Sequence, residues 1–430
     1  MAKQLDNSDL GAYALSVVQT ICDKFGPRLS GRNAEKAAAL WLKGELDTFC
    51  SSSTVERFQV TPDVYPRGIV RIAGFLIAAS IPTFFFALPW MIFAIFLPLA
   101  GLLTFWTGLF KQRTWFKWAY KKRTSHNAFG HVLPAGSGGT STGNKRIIIG
   151  GHLDSAYEMS MSDNKYFTFF TFAGIGFGIL TPLLAIGKFI ILLAAPSTIS
   201  LITSFDGIWT FTWIDICQII CLGILGPCFA LVIRGYGFGS PTLGANDNLA
   251  GVGVACAVGK FYAKHPLHYV ELIVGGFGSE EIGDQGAEAY VKRHRPLGNL
   301  ANAITIVPES CGAGRELGIV EREKMHGVIH DRATCELVLQ AYDRYKANAR
   351  SPIPCSIKTL GFAGTDAGPF SLAGHTATAI IGIAGAMNKP SNWHSRHDTP
   401  QNLMPDFLGA VAEILRHFVA IVEESESQRK

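Results

Sequence analysis

Two hydrophobic patterns alternate along the 430-residue chain. The first consists of short β-branched runs bounded by turn residues: STVERFQV, KRIIIGG, HYVELIVGGFG, NAITIVP and ATAIIGI predict strands. Between several of them, apolar residues recur at three and four positions, which predicts helices over 10–25, 250–262, 287–293 and 333–347. A further helix running to Leu46 has Ser30 and Asn33 as candidate caps. Strands and helices in alternation predict an α/β fold with a mostly parallel central sheet flanked by helices on both faces. The stretch GSGGTSTG, residues 136–143, reads as a flexible loop.

The second pattern is long and nearly uncharged. Residues 72–110 carry no charge, enough for two crossings of about 20 residues each, with Pro82 and Pro89 marking the turn. Another apolar region spans 166–187, is interrupted by Lys188 and resumes to about Phe205, while 207–233 carries only Asp215. Core helices rarely stay uncharged over such lengths, so these regions predict two inserted transmembrane helical hairpins, about four helices in all. Removing them leaves 1–65, 124–164 and 235–430 as one discontinuous α/β domain, with hairpins at 66–123 and 165–234.

Charge adds an orientation. Arg67, Arg71, Lys111, Arg113, Lys117, Lys121, Lys122 and Arg123 flank the first hairpin on its soluble side, and Lys165 and Arg234 flank the second. Neither tip has a basic cluster, which predicts an integral membrane protein with its soluble domain in the cytoplasm. Lys188 dissents only if it snorkels outward; with Asp215 it reads as a charge near the end of an anchor hairpin. The net charge of +5 is mostly this excess beside the membrane, suited to anionic lipid rather than nucleic acid. Nine cysteines without CxxC spacing argue against a disulfide framework, and the N-terminus lacks the pattern of a secretory signal.

Ligand sites of open α/β sheets gather at the carboxyl ends of strands. There the sequence is lopsided: His152 and Asp154 follow RIIIGG, Glu280 and Glu281 follow ELIVGGFGS, and Glu309 follows AITIVP. Asp247 in GANDN begins a helix, and His394 in NWHSRHDT follows the last strand. Singly, each has a bland reading as a solvated acid, a cap or a surface histidine. Together, five carboxylates in one crevice would repel unless cations were present, and zinc accepts this donor set.

The order HLD, GANDN, GSEE, a carboxylate after a strand, then HSRHDT resembles the cocatalytic-zinc aminopeptidases of metallopeptidase family 28, relatives of glutamate carboxypeptidase and glutaminyl cyclase. KFGPRLSGRNAEKAAALWL and TDAGPFSLAGHTATAI are similar to the family's early and late segments. The resemblance implies a zinc aminopeptidase-like α/β/α sandwich and two zinc ions, cobalt or manganese being able to occupy similar donor sets. It implies that Asp247 bridges the metals, with Glu281 and His394 completing one site and His152 and Glu309 the other. Asp154 would hold the His152 ring, and Glu280 would act as general base toward a metal-activated water. An aminopeptidase acting on peptides at the cytoplasmic face follows from that resemblance.

Some positions depart from the pattern. Glu309 stands where many relatives have Asp, and Asn246 where an acid is frequent. His397 is an alternative ligand to His394, and Asp366 in TDAG reads as a turn cap or a pocket residue. The rival readings are a glutaminyl cyclase-like single-zinc acyltransferase, a noncatalytic membrane receptor or scaffold keeping the fold, and a transporter using Lys188 and Asp215.

Overall fold

A computed structural model of the chain describes residues 7–86, 88–111, 114–136, 145–159, 166–194, 200–203, 209–361, 363–385 and 388–429. They divide into two compact units: Met1–Pro62, Lys122–Tyr157 and Pro241–Lys430 form one, Asp63–Lys121 and Glu158–Ser240 the other. Most of the expected loop at 136–143, together with Arg113 and Lys165, lies outside the described residues.

In chain order the strands are β1 Ser52–Val60, β2 Arg123–Val132, β3 Lys145–His152, β4 Ser200–Thr203, β5 Thr210–Thr212, β6 Val270–Phe277, β7 Ala303–Glu309, β8 Glu316–Glu323, β9 Val328–Ile329, β10 Cys355–Leu360 and β11 Thr376–Ile383. All but β4 and β5 belong to the first unit. There they form one sheet in the order β1-β2-β6-β3-β7-β11-β8-β10, with β9 paired to β8. Its centre, β6-β3-β7-β11, is parallel throughout. The margins are mixed: β1, β2 and β6 pair antiparallel, as do β11 and β8, while β10 runs parallel to β8.

Apolar residues on both sides explain the parallel centre. In β3, Ile147 and Ile149 enter the core on one face and Ile148 the core on the other; in β6, Leu272 and Val274 are opposed by Ile273 and Phe277. A strand buried on both faces must be apolar at nearly every position, which is why these runs do not alternate with polar residues; an exception, Glu271 of β6, is buried but paired with Arg146 and His131. Helices Asn7–Phe25, Ala250–Lys264, Arg332–Asn348 and Pro405–Gln428 cover the first face, and Gln285–His294 and Ala367–Leu372 the second. Burial of each Ile or Val contributes about 1.5–3 kcal/mol, so an unpaired charge in their place would cost a large share of the domain's stability.

Three of the unheralded strands have polar sequences. In β2, RTSHNAFGHV, the buried Ser125 and Asn127 satisfy their polar groups through Glu35, Ser279, Gly278 and Gly286. β8 and β10, at the opposite margin, mix charged and apolar residues. The candidate cap Ser30 does not cap: helix Asn33–Leu46 begins after Arg32, and the Ser30 hydroxyl donates to Asp154 instead, at 2.6 Å.

The second unit contains three helices long and apolar enough to cross a membrane among the described residues: Leu88–Phe110, Phe169–Ala194 and Trp213–Gly237. The expected fourth, Arg67–Thr83, has 17 residues, about 25 Å of rise against a hydrocarbon core of about 30 Å. The turn between the first pair falls beside Pro82 and Pro89 as the sequence suggested.

Lys188 neither snorkels nor sits at a helix end. It is buried within Phe167–Ala194, and its ammonium donates to Phe84 O, Thr210 O and Asp215 Oδ1 at 2.7, 2.8 and 2.7 Å. All three of its donors are thereby used. Asp215 Oδ2 accepts from the backbone N–H and hydroxyl of Thr212, capping helix Trp213–Gly237. The pair is a closed internal network at the turn ends of the hairpins, which removes the transporter reading its motive.

Candidate metal centre

Register brings the candidate residues level. β3 pairs His152 with Phe277 of β6, so the chain leaving β6 reaches Glu280 and Glu281 beside the end of β3. β7 ends on Glu309, which pairs with Ile381 of β11, and β11 leads into the loop carrying His394. Asp247 arrives from behind, on the irregular turn 245–249 that opens helix Ala250–Lys264. That helix can start so close because Gly251 lacks a side chain: a Cβ there would lie 2.1 Å from Pro308 O. His394 holds a φ of 50°, a left-handed conformation uncommon for a non-glycine residue and one concentrated at functional sites.

The Asp247 carboxylate lies between two histidines. Oδ1 is 3.2 Å from His152 Nε2, and Oδ2 is 3.4 Å from His394 Nε2. Glu309 Oε1 is 3.9 Å from His152 Nε2, and Glu281 Oε2 is 3.2 Å from His394 Nε2. Ligand atoms of His152, Asp247 and Glu309 therefore form one close group, and those of Asp247, Glu281 and His394 a second that shares Asp247. A third group joins His152 to Glu280 and Glu281. Glu280 Oε2 lies 3.6 Å from His152 Nε2. His397 is exposed and belongs to none of these groups.

The surroundings hold these side chains from behind. His152 Nδ1 donates to the main-chain carbonyl of Asp154 at 3.1 Å, nearer than the Asp154 carboxylate at 3.4 Å, leaving Nε2 as the inward lone pair. The Asp154 carboxylate chiefly braces the chain after β6, with Oδ1 accepting from Glu280 N–H and Oδ2 from Glu281 N–H and Ser30. Asn248 donates to Glu309 Oε2 at 2.9 Å, and the Ser310 hydroxyl reaches Glu309 Oε1 and Asp247 Oδ1. Asp398 accepts the backbone N–H groups of Asn246 and Asp247. Arg28, fully buried, donates to Leu153 O and Gly244 O and ties the β3 end to the Asp247 turn.

Sequence reasoning missed Asp398, Asn248, Ser310, Arg28 and Ser30 in these roles. Their signal was present: each lies inside, or next to, a stretch already singled out, HSRHDT, GANDN, Glu309 after AITIVP and the early KFGPRLSGR. Asn246, where an acid was expected, accepts from Gly312 N–H and donates to Ser391 O. Asp366 occupies the cap position of helix Ala367–Leu372 without making a cap bond, and both its buried oxygens lack partners.

Electrostatics mark the cleft as unbalanced. Burial pushes Glu280 well above the usual carboxylate range, opposed by His152 and aided by Asp284, Glu281 and Glu309. Glu309 and Glu281 are raised chiefly by burial as well. Burial alone would lower His152, yet Glu280, Asp154, Asp247 and Glu309 hold it well above its ordinary value. Asp247 moves the other way: burial opposes, but His152 and His394 lower it. Asp247 Oδ2 and Glu281 Oε1 are buried without a hydrogen-bond partner. Orphaned carboxylate oxygens facing imidazole lone pairs are the donor set of a hard or borderline divalent cation, so the residues present fit zinc.

Residues 231–419 match the model of Peptidase family M28. That stretch is similar to the peptidases of family M28. Its class, metallopeptidase, is the one the sequence motifs implied. A comparison with curated protein sequences finds no match. Among solved structures the fold is similar to a zinc aminopeptidase from Bacillus subtilis, at 13% identity and a TM-score of 0.56, covering 96% of this chain and 95% of that one. It is also similar to an aminopeptidase from Aneurinibacillus sp. strain AM-1, at 13% identity, TM-score 0.53 and coverage of 96% and 95%. A glutaminyl cyclase from Porphyromonas gingivalis has 13% identity, TM-score 0.52 and coverage of 96% and 98%. At such identities the likeness is one of fold.

Proposed function

We propose that the protein is a membrane-anchored, zinc-dependent exopeptidase, an aminopeptidase releasing N-terminal residues from peptides. One observation carries the reading: the two oxygens of Asp247 serve two separate donor groups, His152 with Glu309 and His394 with Glu281. That arrangement has places for two cations. The chemistry such cations supply is polarisation of the scissile carbonyl and a lowered pKa for an attacking water.

Everything else falls to the chain. His152 and His394 present Nε2 inward, while the hydrogen bonds of Asp154, Asn248 and Asp398 fix the positions of their neighbours. Glu280, with its main chain pinned to Asp154, keeps its carboxylate in the cleft and unused by any cap or strand bond. A raised pKa suits it to take a proton from the attacking water and return it to the leaving amine near neutral pH. Glu281, its neighbour, turns instead toward His394. The excess of acid in a buried cleft also attracts the α-ammonium of a peptide's N-terminus.

The membrane helices support anchoring in a lipid bilayer, with Arg67–Thr83 as a fourth, thinner crossing. Arg67, Arg71, Lys117, Lys121, Lys122 and Arg234 support a cytoplasmic catalytic domain, and Lys188, being internally paired, does not count against it. A glutaminyl cyclase reading is favoured only by the similar fold of such enzymes.

The test is a peptide-library cleavage profile of the zinc-loaded full chain beside Glu280→Gln. Hydrolysis from the N-terminus, reduced about 10²–10⁴-fold in the variant with metal content unchanged, is expected. Cyclisation of N-terminal glutamine without hydrolysis would establish the cyclase reading. Binding of peptides with no turnover would establish the scaffold.

A further inference from the structure

The second unit contains a groove of about 670 Å³ that peptide hydrolysis does not use. Small residues make it. Gly74 and Ala78, one turn apart on helix Arg67–Thr83, and Gly226 and Ala230, one turn apart on helix Trp213–Gly237, line it where larger side chains would fill it. Pro227 lies between the latter two and interrupts that helix's hydrogen bonding. Phe177, from helix Phe167–Ala194, contributes a third wall.

The groove is chemically two-ended. Its lining runs along Arg67–Thr83 from Arg71 to Ile81 (81 − 71 = 10 positions), about 15 Å of helix, half the roughly 30 Å hydrocarbon thickness of a bilayer. One end is marked by Arg71, Arg234 and Phe238, and the remainder is apolar. The Arg71 guanidinium lies 4.5 Å from the Phe238 ring centre, and its Nε donates to Gly237 O, which leaves the outer N–H groups of its fork. Among the described residues, neither Arg71 nor Arg234 is paired with a carboxylate; Asp215 of this unit is taken by Lys188. Two guanidinium groups above an apolar trough one leaflet deep complement an anion attached to a hydrocarbon chain.

We propose that this groove binds a phospholipid, one acyl chain lying along Gly74, Ala78, Gly226 and Ala230 and the anionic head group held by Arg71 and Arg234. The inference rests on the membrane reading and not on peptidase activity. Guanidinium groups match phosphate oxygens in a bidentate fork, and a net anionic head group has no ammonium to be repelled by the second arginine. A peptide occupant is disfavoured, since the trough offers its amide groups almost no partners.

The test is native mass spectrometry of the full chain purified in detergent and supplied with phosphatidylglycerol or phosphatidylcholine. Wild type is expected to retain one phosphatidylglycerol per chain, preferred about tenfold over phosphatidylcholine, and millimolar inorganic phosphate is not expected to displace it. Arg234→Glu should abolish the preference, and Ala230→Trp should expel both lipids; neither side chain makes a hydrogen bond among the described residues, and unchanged melting temperatures confirm folding. Equal retention of the two lipids, or retention unchanged in both variants, would mean annular lipid only and would overturn the proposal. Displacement by inorganic phosphate would overturn it in favour of a plain anion site. Recovery of the chain in the soluble fraction without detergent would overturn it together with the membrane reading, whereas loss of peptide cleavage alone would not touch it.

Discussion

Replacing Asp154 by asparagine leaves the volume nearly unaltered but exchanges one acceptor oxygen for an N–H₂ donor and removes a negative charge beside His152. In the structure Asp154 Oδ1 accepts from Glu280 N–H at 3.0 Å, and Oδ2 accepts from Glu281 N–H at 3.1 Å and from the Ser30 hydroxyl at 2.6 Å. Both sides of the carboxylate therefore face donors. An asparagine satisfies one side and turns its own N–H₂ toward a donor on the other, whichever way it flips. The loss is one charge-assisted bond, about 1.5–3 kcal/mol, plus one buried unsatisfied N–H, about 1–3 kcal/mol. We expect Asp154→Asn to lower unfolding stability by roughly 3–5 kcal/mol. Zinc affinity should fall about 10–100-fold, because Glu280, Glu281 and His152 lose their common brace. Ser30→Ala removes only the third donor and should cost about 1 kcal/mol. Denaturant titration with isothermal calorimetry of zinc binding reads both quantities. If Asp154→Asn stays within about 1 kcal/mol of wild type and binds zinc equally well, the bracing role is refuted.

Three further outcomes are expected. Lys188→Met leaves Asp215 buried and unpaired and should lower the melting temperature in detergent more than the double replacement Lys188→Met with Asp215→Leu, since one orphaned charge costs about 3–5 kcal/mol and an apolar pair far less; equal losses would contradict the pairing. Metal-stripped protein should lose stability as pH rises: burial holds Glu280, Glu309 and Asp366 well above their ordinary range and Asp398 at about 7, aided by Asp247, so each binds a proton in the folded state that the unfolded chain has already lost above about pH 4. Asp398 alone makes the change from about pH 5.5 to 8 on the order of 2 kcal/mol, and zinc should reverse the trend; a melting temperature flat or rising over that range would contradict it. Asn248→Ala frees Glu309 Oε2 and should weaken zinc binding by about tenfold, measured by chelator competition, with unchanged affinity as the contrary result.

The parallel centre of the sheet was legible because burial on both faces leaves an unbroken apolar run, as in IIIGG of β3 and LIVGG of β6. β2 was not, since Ser125 and Asn127 are buried against partners as far along the chain as Glu35, Ser279 and Gly286, and pairing at such separations leaves no local trace. The same division runs through the site. Side chains aimed into the cleft come directly after strands and are donors by type, so His152, Glu280, Glu281 and Glu309 could be picked out from position alone. Residues acting on backbone groups, such as Asp398 on Asn246 and Asp247 or Arg28 on Gly244, look like any other polar residue until the fold brings them together. Lys188 shows the opposite error: a charge in an apolar run reads as an end marker, yet it is spent inside the unit on two carbonyls and a carboxylate.

The central claim is that Asp247 joins two metal sites. Zinc content per chain, measured by mass spectrometry on the full chain after dialysis against trace zinc, tests it most directly. Two zinc ions in wild type, with both sites weakened together in Asp247→Ala, is the predicted result. A fully active wild-type chain holding a single zinc would contradict it.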